Sequence, residues 1–372
     1  MTTPKPKVED LVKVALMEAM EKRKKATGSV APSDYGIYIE EVVPEPVPLV
    51  AETDKKELGS NQKWFSEVIG IPVSSNEDFP VAVFHDYVWD ERIAFLIPQV
   101  DESYVLDKEL AKDVLMAWEM NDKVLAYGPT GAGKSSLIEQ LCARTHRPFL
   151  RINCTGDMDS SMIFGQLTAN SGSTVWEDGA VTEAVKYGAV FAWDEWDVTP
   201  PEISMGLQWL LEDGGQLFLK EKPGATREKQ VTPHEHFRLV AIGNTQGQGD
   251  DTGAHAGTNV QNSATLDRFG TTVYVDYLSN DVEEKMLLNR WSHVLDGKQA
   301  KELVKLANLI RLGYKSDQLN LTISPRTLLS ICKKLAMGTT LIKAFNTTYL
   351  NKLNDTQRKV ASELFHKIYG KA

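Results

Sequence analysis

Cysteine is scarce in this sequence: three among 372 residues, Cys142, Cys154 and Cys332, an odd number with no CxxC pair. That excludes a disulfide framework and a cysteine-built zinc site, and leaves three reduced, buried thiols as the expectation. Uncharged apolar runs of the ~18 residues that a membrane span needs are absent as well. The amino terminus, Met1 to Lys25, is charged at helical intervals and is not built as a signal peptide, so a cytoplasmic protein with no membrane partner is expected. Positive charge is also short, 41 Lys and Arg against 51 Asp and Glu, for a formal net charge of −10. Broad adhesion to nucleic acid or to an anionic membrane is disfavoured, and only a local basic groove stays compatible. Internal repeats and long low-complexity tracts are missing too, so no repeat array is expected. What is present is ordinary for a globular chain: 42% hydrophobic residues, and a length that suggests about two or three domains.

Over residues 6–26, Val8, Leu11, Val12, Ala15, Leu16 and Met20 recur at three-to-four spacing with Lys and Glu between them, which predicts one amphipathic helix stopped by Gly28. Pro44-Glu45-Pro46-Val47-Pro48 can neither continue a helix nor supply ladder donors, so an extended linker follows. Between 60 and 100 the aromatics return (Trp64, Phe65, Phe79, Phe84, Tyr87, Trp89, Phe95) and are expected to pack against the main domain. From about 120, short β-branched and aromatic runs alternate with helical patterns, at Lys123–Tyr127, Phe149–Asn153, Ala189–Trp193, Arg238–Ile242 and Thr272–Asp276. Five strands separated by crossovers imply an α/β fold, a parallel sheet with helices on both faces. After Ser279 the pattern is helical, with helices expected near 281–294, 298–312, 325–336 and 355–368. The expected domains are therefore 1–60, 61–278 and 279–372.

Gly128-Pro129-Thr130-Gly131-Ala132-Gly133-Lys134-Ser135 fits GxxxxGK[ST] between the first strand and a helical run that opens at Ser136. The glycines let successive backbone N–H groups converge on phosphate oxygens, and the helix amino terminus behind them adds partial positive charge. Lys134 is expected at the β- and γ-phosphates of ATP and the Ser135 hydroxyl on Mg²⁺. Sixty residues after Lys134, a buried-type strand ends in Asp194-Glu195. Adjacent carboxylates at the carboxyl edge of a parallel sheet are costly unless a cation or water uses them. Asp194 is read as holding Mg²⁺, and Glu195 as orienting and polarising the attacking water.

Three further residues invite a role. Asn244, after the fourth strand, is either a turn former or an amide bridging that water and the γ-phosphate. Arg268, just before the fifth strand, is either a surface partner of Asp267 or an arginine finger for the ATP of a neighbouring subunit. Arg326 follows Ser324-Pro325, a good cap and first position for a helix, and a cation in a first turn opposes the macrodipole. That conflict points to an anion, the γ-phosphate met from the helical domain.

These motifs in this order, over about residues 100–340, resemble the AAA+ ATPases. Phe164-Gly165 with Val175 to Ala184 is similar to the helix-2 insertion of the MoxR and chelatase branch, and a second hairpin, Glu212 to His234, precedes the fourth strand as it does in that branch. Ile138-Glu139-Gln140, Ala143-Arg144, Pro148, Arg151 and Asn153, then Asn244-Thr245-x-Gly247-x-Gly249-Asp250-x-Thr252-Gly253 with Gly257-Thr258, Asn262 and Asp267-Arg268, resemble the CobS-type ATPase subunits of aerobic cobaltochelatases. The resemblance implies a P-loop sheet followed by an α-helical lid, a homo-oligomeric ring, hexameric in the family, ATP and Mg²⁺ as ligands, and a CobT-like partner carrying a von Willebrand A domain. Residues 1–60 and those after about 340 lie outside it, and CobS-like proteins also serve outside cobalamin pathways.

Other residues keep two readings. His234, His236 and His255 lack a carboxylate or Cys at ligand spacing, so no metal site is expected of them. Trp176 and Phe218-Leu219-Lys220 belong to a pore or partner surface, or simply to hairpin packing. Asn153 either caps its strand or hydrogen-bonds Glu195. Two other function classes compete with a partner-remodelling ATPase: a nucleic-acid motor, which the acidic balance opposes, and a nucleotide-gated scaffold, which Glu195 and Arg268 oppose.

Overall fold

The computed structural model describes residues 58–247 and 261–370. The helix expected over 6–26, the proline-rich linker, and the stretch 248–260 with His255 lie outside the described residues. Everything described belongs to the unit Leu58–Ala372.

Five strands form one parallel sheet: β1 (Val124–Tyr127), β2 (Phe149–Asn153), β3 (Val190–Asp194), β4 (Arg238–Gly243) and β5 (Thr271–Tyr274), in spatial order β5-β1-β4-β3-β2. Each central strand is an unbroken apolar run because both faces are covered. Side chains alternate: Val124, Ala126, Val190, Ala192, Val240 and Ile242 enter one core, with helices α1 (Lys108–Glu119) and α2 (Lys134–Thr145). Leu125, Phe191, Trp193, Leu239 and Ala241 enter the other, with α3 (Ala180–Tyr187) and α4 (Pro201–Leu207). The register decides what meets at the carboxyl edge. Tyr127 lies opposite Gly243, Ile242 opposite Asp194, and Asp194 opposite Asn153. Just beyond these pairs the chain presents Asn244 level with Gly128, and Glu195 level with Gly243 on the neighbouring strand.

The aromatic segment packs as expected except at Phe95, whose ring is exposed. Phe65 is buried in the first core and Phe84 and Trp89 in the second. Phe84, Tyr87 and Trp89 surround His236 at ring separations of 4.5, 5.0 and 5.8 Å, and the Arg147 guanidinium lies 4.4 Å over the Phe84 ring. Burial pushes His236 down to about 4, helped by His234, Arg147 and Arg238 and opposed by Glu235. The imidazole is thus neutral when folded and takes a proton more readily when unfolded. Its contribution to stability is complete above the ordinary histidine value of ~6.5 and is lost as pH falls towards 4. The thermal unfolding midpoint should fall between pH 6.5 and 5, before most carboxylates titrate, and His236→Phe should flatten that part of the profile; an unchanged slope would remove His236 as its source.

Beyond the sheet, helices α5 (Asn280–Trp291), α6 (Gly297–Lys315), α7 (Pro325–Ala336), α8 (Leu341–Thr348) and α9 (Asp355–Tyr369) enclose a third core around Leu287, Leu306, Ile310, Ile331, Phe345 and Phe365. Four of the five match expected helices; α8 was not anticipated. Ser324 caps α7 through the Thr327 N–H, with Pro325 at the first position. A fully buried pair fixes α5 to α6, the Arg311 guanidinium donating to both oxygens of Glu283 at 2.8 and 2.7 Å. Arg311 also donates to the Ile323 carbonyl and lies 4.3 Å over the Tyr277 ring, which ties the helices to the segment leaving β5.

Two antiparallel hairpins interrupt the α/β succession where the family resemblance implied them, Gly165–Asn170 with Ser173–Asp178 and Leu217–Phe218 with Gln230–Val231. Trp176 donates its indole N–H to Asp178 at 2.9 Å. Leu219 is buried, whereas Phe218 is exposed.

Candidate active site

The loop Gly128–Gly133 turns directly from β1 into α2, and the helix starts at Lys134, two residues before the expected Ser136. Two glycines are required by close approach. A Cβ on Gly128, at φ 147°, would stand 2.1 Å from the Val275 carbonyl oxygen, and one on Gly131, at φ 75°, would stand 2.5 Å from Ser324 Cβ. The loop is thus pressed between the segment after β5 and the cap of α7. Tyr277 adds a third tie, its hydroxyl donating to the Thr130 carbonyl at 3.0 Å. Ala132 is buried, and Ser136 lies in the first turn of α2.

Lys134 is buried, and its ammonium donates to the carbonyl oxygens of Gly128 (2.8 Å) and Pro129 (3.1 Å) and to Asn244 Oδ1 (3.0 Å). Burial lowers its pKa, against the opposing pull of Glu195, Asp194 and Asp197. Ser135 Oγ donates to Asp194 Oδ2 at 3.0 Å. Arg151, on β2, forms an ion pair with the same oxygen. A hydroxyl and a carboxylate oxygen held together are the hard donors that magnesium takes, so the pair fits that ion.

Glu195 is one of few non-glycine residues in left-handed backbone, φ 53° and ψ 39°, a conformation that costs of order 1 kcal/mol and clusters at functional sites. Its N–H donates to Asp194 Oδ1 (3.0 Å), and its Oε2 accepts from Asn244 Nδ2 (2.9 Å). Burial raises its pKa, with repulsion from Asp194 and Asp197 adding to the shift and Lys134 and Asn244 opposing it. Asn244 therefore bridges the loop lysine and the strand-end glutamate through its two amide atoms. Asn153 makes no hydrogen bond to Glu195 among the described residues; the amide that holds the glutamate is Asn244.

The sequence reading missed what holds Asn244. Asp197 is fully buried, and its Oδ2 accepts from the Asn244 N–H (3.1 Å), the Thr245 N–H (2.9 Å) and the Thr245 hydroxyl (2.8 Å). The signal was available as a third carboxylate in Asp194-Glu195-Trp196-Asp197.

The two arginines lie differently. Arg326 is exposed in the first turn of α7, makes no ion pair or hydrogen bond among the described residues, and is near enough to Lys134 to lower that lysine's pKa. Arg268 precedes β5 and so stands at the amino edge of the sheet, the far end of the strands from the loop. It pairs with Glu212, with Nη2 at 2.9 Å and Nε at 3.1 Å from Oε1, in place of Asp267. A cavity of about 330 Å³ opens beside the loop, lined by Tyr104, Ala132, Leu137, Tyr274, Tyr277 and Ser279 among others. Among the described residues no group of three or more His, Cys, Asp and Glu is arranged to hold a metal ion, and His234 accepts the His236 N–H at 3.1 Å. No helix among them is long and apolar enough to cross a membrane.

Residues 123–269 match the AAA domain of the dynein-related subfamily, and residues 284–366 match the CbbQ/NirQ/NorQ carboxy-terminal domain. The chain is an AAA+ ATPase of the MoxR/CobS/CbbQ type. It is 28% identical over 281 residues to the aerobic cobaltochelatase subunit CobS of a Sinorhizobium species, covering 74% of this chain and 83% of that one. An uncharacterized protein of Staphylococcus aureus is 26% identical over 261 residues, 68% of this chain and 93% of that one. Among solved structures, a Thermotoga maritima RuvB mutant matches with a TM-score of 0.46 at 16% identity, over 74% of this chain and 81% of that one. In this AAA+ ATPase the loop, the acidic strand end and Asn244 gather at the carboxyl edge of the sheet, the edge at which open α/β sheets take ligands.

Proposed function

We propose that this ATPase assembles into a homo-oligomeric ring, of six copies by the family resemblance, and hydrolyses ATP at the seams between subunits to remodel or activate a partner protein. The observation that carries the reading is the continuous run of contacts Ser135–Asp194 and Lys134–Asn244–Glu195, which gathers phosphate-binding, metal-binding and water-activating groups at one sheet edge.

In this reading the N–H groups of Gly128–Ser136 wrap the phosphates, and the ammonium of Lys134 exchanges its carbonyl partners for β- and γ-phosphate oxygens. Ser135 and Asp194 hold Mg²⁺, which when bound neutralises charge on those oxygens. Glu195 orients the water and draws its proton, and Asn244 keeps that carboxylate and the γ-phosphate in register. Arg326 meets the γ-phosphate from the lid in the same chain, and Arg268 reaches the phosphates of the neighbouring copy. The likeness to CobS supports a CobT-like protein with a von Willebrand A domain as the partner, in a chelatase-type complex.

Lys134→Ala tests the ligand assignment. Loss of charge-assisted hydrogen bonds, each worth about 1.5–3 kcal/mol, should weaken ATP binding by ~10²-fold and abolish turnover. Nucleotide affinity measured with a fluorescent ATP analogue and Mg²⁺ checks it; parental affinity in that variant would remove the loop from nucleotide binding.

A further inference from the structure

Arg268 is held by more than chance surface contact. Its Nε and Nη2 both donate to Glu212 Oε1, and its Nη1 donates to the Ala264 carbonyl. A guanidinium carries five N–H groups in a rigid planar fork. Glu212 occupies the side edge formed by Nε and Nη2, and Ala264 takes a hydrogen of Nη1. Nη1 and Nη2, which form the terminal edge, each keep one N–H, and the side chain is 30% exposed.

The backbone of Glu212 is itself firmly set. It closes the turn Gln208–Leu211, with its N–H on the Trp209 carbonyl, and it accepts the Gly215 N–H at 3.1 Å. A Cβ on Gly215 would stand 1.7 Å from the Trp209 carbonyl oxygen, so the loop Glu212–Gly215 lies hard against the turn before it. Lys123, also beside this loop, donates to the Asn121 carbonyl at 3.0 Å and lies 4.0 Å from Asp213 of the loop, not on Glu212.

We infer that Glu212 is the positioning residue for Arg268: it fixes the side edge of the guanidinium so that the terminal edge points outward to the phosphates of a neighbouring copy's nucleotide. The inference rests on the reading of Arg268 as a residue contributed between subunits. An arginine without this anchor spreads over many rotamers, and displacement of a reacting partner by ~1 Å can cost about 10²-fold in rate. Because Glu212 also opens the hairpin Leu217–Phe218 with Gln230–Val231, a shift of that hairpin would move the arginine with it.

The test is a double-mutant cycle on steady-state ATP turnover of the full chain. Glu212→Ala should lower kcat by about 10²-fold with KM for ATP unchanged, and Glu212→Gln, which keeps an accepting oxygen, should recover part of the loss. The double variant Glu212→Ala with Arg268→Ala should be no slower than Arg268→Ala alone, since the carboxylate acts only through the guanidinium. A double variant whose loss is the product of the two single losses would overturn the inference, as would parental kcat in Glu212→Ala while Arg268→Ala is impaired. Parental turnover in Arg268→Ala would instead overturn the assignment of the arginine, and this inference with it.

Discussion

Glu195→Gln is expected to bind ATP as tightly as the parent chain and to turn it over about 10²–10⁴-fold more slowly. The substitution keeps the size of the side chain, and its carbonyl oxygen can still accept the Asn244 amide hydrogen that Glu195 accepts at 2.9 Å. Lys134, Ser135 and Asp194 retain their own contacts, so affinity is preserved. What disappears is the negative charge that draws a proton from water. Measuring kcat beside the affinity for a fluorescent nucleotide separates the two quantities, and undiminished turnover would strip Glu195 of its role.

Arg268→Ala should lose more, about 10³–10⁵-fold in turnover, if the arginine offsets charge developing on the transferred phosphoryl group. The partly exposed pair with Glu212 contributes little to folding, since such ion pairs are worth about 0–1 kcal/mol. A large fall in rate therefore cannot be assigned to unfolding, and an unchanged thermal midpoint beside the lost activity would make the separation directly. Parental turnover would return Arg268 to an ordinary surface role.

Much of the fold was legible because its strands are buried on both faces. Runs such as Val190-Phe191-Ala192-Trp193 have no polar interruption, so their ends fall within two residues of expectation. β5 ends at Tyr274, two residues earlier than expected, and the bond from the Val275 N–H to the Tyr127 carbonyl is its last tie to β1. Helix α8 was hidden by its composition: Asn346, Thr347 and Thr348 have weak helix propensity, and the helix depends on Ala344 and Phe345 entering the third core. The phosphate loop and Asp194-Glu195 could be read locally, since spacing along the chain carries their chemistry. The partners of Asn244 and Arg268 could not, because they are set by the fold. Glu212 lies 56 residues before Arg268, and the choice of Asn244 over Asn153 as the amide on Glu195 follows from side-chain directions at neighbouring strand ends.

Mixing two inactive proteins tests most directly whether the site is shared between copies. Glu195→Gln lacks the base but carries Arg268, and Arg268→Ala carries the base but lacks the arginine. In mixed assemblies some seams unite an intact Glu195 with an intact Arg268 from the adjoining copy, so combining the two should restore ATP turnover well above either alone. If the mixture, shown by size to co-assemble, stays as inactive as its components, hydrolysis does not draw Arg268 from a neighbour.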